Sequence, residues 1–213
     1  QAIVFVSSTP DYLSTATSPI LQTKLGLAKS TICFDINYGC SGFIYGLFQA
    51  ALILASVRDV ETVLVLVGET PTKNIDLRDP STALIFGDSG TATLVRRSER
   101  AQTTKFFLQA NGDGFDAILK RTGGYRSQSG ESCLHMDGAA VMNFIVSEYQ
   151  PTIADFFSRA NLKIDDINKF YFHQANKLIL EYISKKLKVP SERVPTSYDI
   201  YGNTGGGSLP LTI

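Results

Sequence analysis

Three residues carry types that suit nucleophilic chemistry: Cys40, His173 and Asn203, in that order. They stand 133 (173 − 40) and 30 (203 − 173) residues apart. Cys40 lies in "YGCSG", between Gly39 and Gly42, where an apolar strand-like run meets a long apolar helical run. A thiol at a helix start feels the positive end of the dipole, which favours thiolate. Amides there can face a developing oxyanion, as in a nucleophile elbow with sulfur in place of oxygen. His173 closes the apolar run "KFYF" and opens "HQAN"; a helix N-terminus would keep its ring neutral. Asn203 sits in "YGNTGGGS", whose glycines permit a tight loop. Each alone has an ordinary alternative: a small core cysteine, a hydrogen-bonded histidine, a turn asparagine. Cys33 and Cys133 lack such a setting and read as packing or loop residues, and His135 in "CLHMDG" as structural.

The chain has 213 residues, 44% of them hydrophobic, with a formal net charge of zero. That supports a sizeable core and gives no electrostatic case for nucleic-acid binding. No run of 18 apolar residues suggests a membrane span. Three irregularly spaced cysteines and two distant histidines argue against a disulfide scaffold or structural zinc. A reduced, cytoplasmic setting follows. "QAIVFVSSTP" reads like the middle of a domain and "GGGSLPLTI" like the middle of a motif, so the expectation is a stretch of a longer chain.

The elements that must position these residues alternate. Strands are predicted at 2–6, 31–36, 62–68 and 90–97, the last ending in exposed arginines. A helix is predicted over 18–26, with Ser18 as N-cap, Pro19 in its first turn and Gly26 at its end. Residues 41–57 read as a helix buried nearly all round. "FGDSG" (86–90) reads as a turn between strands, with Asp88 capping and a weak case for phosphate binding. After a polar link at 98–104 the pattern restarts. Strands are predicted at 105–110, 117–123 and 169–174, with a polar loop at 121–132. A long helix over 138–161 should be kinked or split by Pro151. Residues 175–187 form an amphipathic helix. Ile179, Leu180, Ile183 and Leu187 share one face; Lys177, Glu181, Ser184, Lys185 and Lys188 take the other. The class is α/β in two parts, 1–104 with the cysteine and 105–213 with the histidine and asparagine.

Taken together, "FDINYGCSGFIYGL", "LIFGDSGTATLV", "MDGAAVMNF", "HQANKLILEYISKKL" and "YGNTGGGSLP" closely resemble the 3-oxoacyl-acyl-carrier-protein synthase III family, the initiating condensing enzymes of fatty-acid synthesis. The resemblance implies a thiolase-like fold: a duplicated βαβαβαββ unit in α/β/α/β/α layers, here expected to lack its N-terminal part and last C-terminal strands. It implies that Cys40 takes an acyl group from acyl-CoA, while His173 and Asn203 hold the thioester carbonyl of malonyl-acyl carrier protein through decarboxylation. It also implies a homodimer, and no metal or redox cofactor, the CoA thioester being a substrate.

Some positions depart from the family pattern. The family's tryptophan near the CoA adenine is absent; this chain has none. A carrier-docking arginine is matched by Leu178, with Lys177, Lys185 and Lys186 as possible substitutes that lack its fork. A CoA-phosphate arginine falls near Lys73 and Asn74. The family loop that reaches the partner's acyl pocket corresponds to "STATSP" (14–19), with only small residues near Thr17, so acyl chains longer than acetyl are expected. Two other activities compete: acyl transfer to an alcohol or amine in secondary metabolism or surface-sugar synthesis, and an inactive scaffold of the same fold. A papain-type hydrolase shares the Cys-His-Asn order but not "FGDSG" or "HQAN".

Overall fold

A computed structural model of the chain describes residues 1–100 and 103–213. In chain order its elements are β1 (Ala2–Val6), α1 (Thr17–Lys24), β2 (Ile32–Ile36), α2 (Gly42–Ser56), β3 (Thr62–Glu69), α3 (Pro80–Ala83), β4 (Ser89–Arg96), β5 (Ile118–Lys120), β6 (Leu134–Met136), α4 (Gly138–Ala160), α5 (Lys177–Leu187), α6 (Tyr198–Tyr201) and α7 (Ser208–Thr212). Packing divides them into two units. One comprises Gln1–Pro71, Gly87–Thr104 and Thr204–Ile213; the other comprises Thr72–Phe86 and Lys105–Asn203.

The first unit is built on a four-stranded sheet in the order β2-β1-β3-β4. β1 runs parallel to both neighbours, with Ile3 opposite Cys33 and Leu64, and β4 runs antiparallel to β3. A strand flanked on both edges and covered on its faces needs apolar residues throughout, which "AIVFV" supplies. α2 packs on the sheet by one face only: Phe43, Gly46, Ala50 and Ile53 are buried, whereas Leu52 is 43% exposed. The expectation of a helix buried all round is corrected. The apolar stripe recurs every three to four residues, and the remaining apolar positions lie outside it.

α1 ends as expected, with Gly26 in the left-handed region at φ 64°. Its start is different. Ser18 is inside the helix, and its buried hydroxyl has no hydrogen-bond partner among the described residues. The cap comes from β2: the Asp35 carboxylate accepts from the Thr17 N–H at 2.5 Å and the Ser18 N–H at 2.8 Å. A local N-cap rule cannot see a capping carboxylate that the fold delivers from a neighbouring strand.

The second unit packs α5 against α4. Ile179, Leu180, Ile183 and Leu187 form the buried face of α5 as predicted, and meet Ile153 and Phe157. α4 is capped by Asp137, whose carboxylate accepts from the Ala140 N–H at 2.9 Å. It runs unbroken through Pro151, so of the expected kink or split the split does not occur. Pro151 and Ser147, whose carbonyl loses the proline's missing N–H, both lie on the exposed side, where water can satisfy that carbonyl.

The strands expected at 105–110 and 169–174 do not form. Both segments are anchored by side chains instead of a ladder. Phe107 lies 6.3 Å from Phe156 and beneath Arg159; Phe170 lies beneath Arg193, and Phe172 lies 6.4 Å from Tyr149 of α4. The run at 117–123 shortens to β5, paired with β6. Before "FGDSG" stands the short helix α3, not a strand, and its cap is Asp79 through the Ser81 N–H at 2.9 Å. Of the link at 98–104, residues 101–102 lie outside the described residues; the rest is neither helix nor strand. Among the described residues no helix is long and apolar enough to cross a membrane.

Candidate active site

In the first unit, Cys40 occupies the turn between β2 and α2 and is exposed. The turn is closed by the Gly42 N–H donating to the Gly39 carbonyl at 2.8 Å. Tyr38, before the turn, stacks on Tyr45 of α2 at 4.3 Å and staples strand exit to helix entry. The N–H groups of Gly42, Ile44 and Tyr45 are engaged by Gly39 and Ser41 carbonyls. Cys33 is half-buried in β2, where burial and then Asp35 push its thiol pKa up, away from the thiolate.

Beside this turn lies Glu69, which ends β3 and is 1% exposed. Its Oε1 accepts from the Ser8 N–H at 3.0 Å. Its Oε2 accepts from the Ser8 hydroxyl at 2.8 Å and the Thr9 hydroxyl at 3.2 Å. The Gly206 N–H donates to the same carboxylate. Burial pushes the Glu69 pKa up from its ordinary value, and these donors partly oppose that. A methyl built on Gly206 would stand 2.9 Å from the Gly39 carbonyl oxygen, so only glycine lets this loop lie against the Cys40 turn. The strand reading stopped at Gly68 and missed Glu69. Its signal was a carboxylate closing an otherwise apolar core strand.

In the second unit, His173 is half-buried and stands four residues before the start of α5. Asn176, not His173, caps that helix, accepting from the Ile179 N–H at 3.0 Å. Gln174, fully buried, accepts from the Ser197 N–H at 2.8 Å through Oε1 and donates to the Phe172 carbonyl at 2.8 Å. It ties "HQAN" to the segment that leads through α6 into Asn203. Asn203 is buried, its N–H donating to the Ile85 carbonyl at 2.8 Å, and it forms a parallel bridge with Phe86. That bridge fixes the asparagine backbone, and Gln174 was not singled out from sequence.

The remaining positions fall at several places. Thr17 opens α1 and is 5% exposed, so the exposed residues of its stretch are Ser14, Thr15, Ala16 and Pro19. Lys73 is exposed, while Asn74 is half-buried and its Oδ1 accepts from Lys120 Nζ at 2.6 Å. Lys177 begins α5 and pairs with Glu181 at 3.8 Å; Leu178 is 66% exposed, and Lys185 and Lys186 are exposed in the last turn. His135 is exposed in β6, opposite Leu119.

The family model for 3-oxoacyl-[acyl-carrier-protein] synthase III matches residues 34–112, which contain the Cys40 turn, and the model of that family's C-terminal portion matches 157–213, which contain His173 and Asn203. The chain belongs to the 3-oxoacyl-acyl-carrier-protein synthase III family. Its members are acyltransferase-type condensing enzymes, the class the motifs implied. The beta-ketoacyl-[acyl-carrier-protein] synthase III of Limosilactobacillus reuteri is 35% identical over 99% of this chain and 67% of that protein. A crystal structure of a 3-oxoacyl-(acyl-carrier-protein) synthase III superposes with a TM-score of 0.94 at 27% identity, covering 99% of this chain and 68% of the other. The enzyme from Burkholderia xenovorans gives 0.88 at 34% identity, covering 100% and 63%. The chain thus spans about two thirds of the length of these synthase III proteins and has their α/β fold.

Proposed function

We propose that this synthase III chain loads an acyl group from acyl-CoA onto Cys40 and condenses it with malonyl-acyl carrier protein, initiating fatty-acid or related synthesis. The supporting observation is the exposed Cys40 on a glycine-flanked strand-to-helix turn. The Cys40 sulfur attacks the acyl-CoA carbonyl, a tetrahedral oxyanion forms against nearby backbone amides, and the CoA thiol leaves. The malonyl group then loses carbon dioxide. His173 and Asn203 donate hydrogen bonds to the enolate oxygen left behind, and neutral donors stabilise it without protonating it first. The enolate carbon attacks the Cys40 thioester, and the thiolate departs. Lys73, Asn74 and Lys177 are proposed to meet the CoA phosphates and the carrier. The working form is proposed to be a cytoplasmic homodimer. With only small side chains at Ser14–Ala16, octanoyl-CoA should compete well with acetyl-CoA.

Mass spectrometry of Cys40 after incubation with an acyl-CoA panel tests the first step, and carbon dioxide release on adding malonyl-carrier protein tests the second. Acylation lost in Cys40→Ala, followed by carbon dioxide release in the parent, is the expected result. An unmodified Cys40 overturns the reading. A second reading, transfer to an alcohol or amine acceptor, draws on Leu178, an exposed apolar residue where the family docks its carrier with arginine. Acylated Cys40 that releases no carbon dioxide but passes its acyl group to such acceptors would favour it.

A further inference from the structure

The reaction above does not use Glu69, yet this buried carboxylate is tied to the two segments that flank the residue before the nucleophile. One is Ser8, whose hydroxyl oxygen would lie 3.7 Å from a methyl built on Gly39 and which gives Glu69 two hydrogen bonds. The other is Gly206, whose N–H donates to Glu69 and whose α carbon faces the Gly39 carbonyl. The same carbonyl accepts from Gly42 and closes the turn that carries Cys40. We propose that Glu69 is a positioning residue for Cys40: by clamping Gly206 against the Gly39 carbonyl and fixing Ser8 on its other side, it holds the turn in the geometry that presents the thiol and its neighbouring amide to an acyl carbonyl.

A carboxylate suits this place because two obligate N–H donors, of Ser8 and Gly206, and two hydroxyls converge on it. Four donors need an acceptor with several lone pairs, which a glutamine supplies in part and an alanine not at all. Core strands otherwise avoid such a group, since a buried carboxylate is tolerated only when its hydrogen bonds are satisfied. Thr9 extends the clamp: its hydroxyl oxygen accepts from the Thr70 N–H at 2.8 Å and locks the residue after Glu69 to the same loop. Gly205, at φ 58°, lets the glycine loop bend over the carboxylate; a methyl there would stand 3.2 Å from Glu69 Cγ. Misplacing a nucleophile by a fraction of an ångström slows its attack without changing how the distant parts of a substrate bind. The expected signature is thus a loss of rate, not of affinity.

The inference rests on Cys40 being the acylated nucleophile, and its test keeps the two ideas apart. The full chain is compared with Glu69→Gln and Glu69→Ala, each shown folded by near-ultraviolet circular dichroism. Two readouts are taken: Cys40 acylation as a function of acyl-CoA concentration, and the pH profile of Cys40 alkylation by iodoacetamide, which needs no acyl substrate. Both variants remove the charge, so a difference between them reports the hydrogen bonds and packing that the side chain supplies to the clamp. The expected result is a maximal acylation rate lowered by about tenfold in Gln and about a hundredfold in Ala, with half-saturation within about twofold of the parent. The midpoint of alkylation should lie higher in Ala than in Gln, because a loosened turn loses its alignment with the helix dipole. Folded variants with parental acylation rates, or losses confined to half-saturation, overturn the proposal. If the parent is not acylated at all, the reading of the reaction fails. Coincident alkylation midpoints in Gln and Ala then overturn the role of Glu69, and separated ones support it. If Ala does not fold, the rate in Gln against the parent decides.

Discussion

Gly42 lies so close to Val6 that a methyl built on it would stand 2.5 Å from Val6 Cγ1. Val6 is fully buried at the end of β1 and has nowhere to go. Gly42→Ala therefore pushes the start of α2 away from the sheet. Overpacking of this kind costs about 1–3 kcal/mol, against at most about 1 kcal/mol gained from helix propensity. A net loss of about 1–2 kcal/mol in urea unfolding is expected, together with slower Cys40 acylation, because the displaced turn carries the sulfur. An unchanged unfolding midpoint would show that the helix start has more room than the packing indicates.

Asp35 holds the start of α1 through two backbone N–H groups, those of Thr17 and Ser18. Asp35→Ala should destabilise the protein by about 0.5–2 kcal/mol, the usual loss for an N-cap. Amide hydrogen exchange should rise over 17–24 and stay near parental in β3. Exchange that rises evenly across the sheet would instead mark Asp35 as a residue of global stability.

The proposed mechanism places His173 and Asn203 at the malonyl carbonyl and not in acyl loading. His173→Ala and Asn203→Ala should each lower condensation by about 10²–10³-fold, the usual effect of removing one oxyanion donor. Acylation of Cys40 should stay within a few-fold of the parent in both. Loss of acylation in either variant would move that residue to the first step.

Glu69 also predicts a pH dependence of stability. Burial raises its pKa above the ordinary 4.5, so the folded chain binds this proton more tightly than the unfolded chain. The contribution is fully present below about 4.5 and is lost as pH rises through the folded value. Asp76, held down to about 2 by Arg78, acts in the opposite direction but does so equally in parent and variant. The parent should therefore lose stability relative to Glu69→Gln as pH climbs from about 4 toward neutrality. Denaturant midpoints that differ by a constant amount at every pH would contradict the raised pKa.

Much of the local structure could be read directly. β1 announces itself as an uninterrupted apolar run, and α5 by its four apolar residues at helical spacing. The Cys40 turn shows through its glycines and the change of period on either side. These signals act over one or two turns of chain, so a short window contains their whole cause. His173 and Asn203 were nameable for another reason: their neighbours match family motifs, whereas their own local chemistry is ordinary.

What tertiary structure alone decided concerns groups whose partners lie far along the chain. Asp35 caps a helix that begins 18 residues before it. The apolar runs at 105–110 and 169–174 have strand-like composition, but a strand exists only where a neighbour completes its ladder. Pro151 is tolerated because its turn faces outward, which periodicity around a proline does not reveal. Glu69 is the sharpest case. In sequence it is a carboxylate beside a glycine. Only the fold brings Ser8, Thr9 and Gly206 to its oxygens, and only burial makes their hydrogen bonds necessary, because water would otherwise have supplied them.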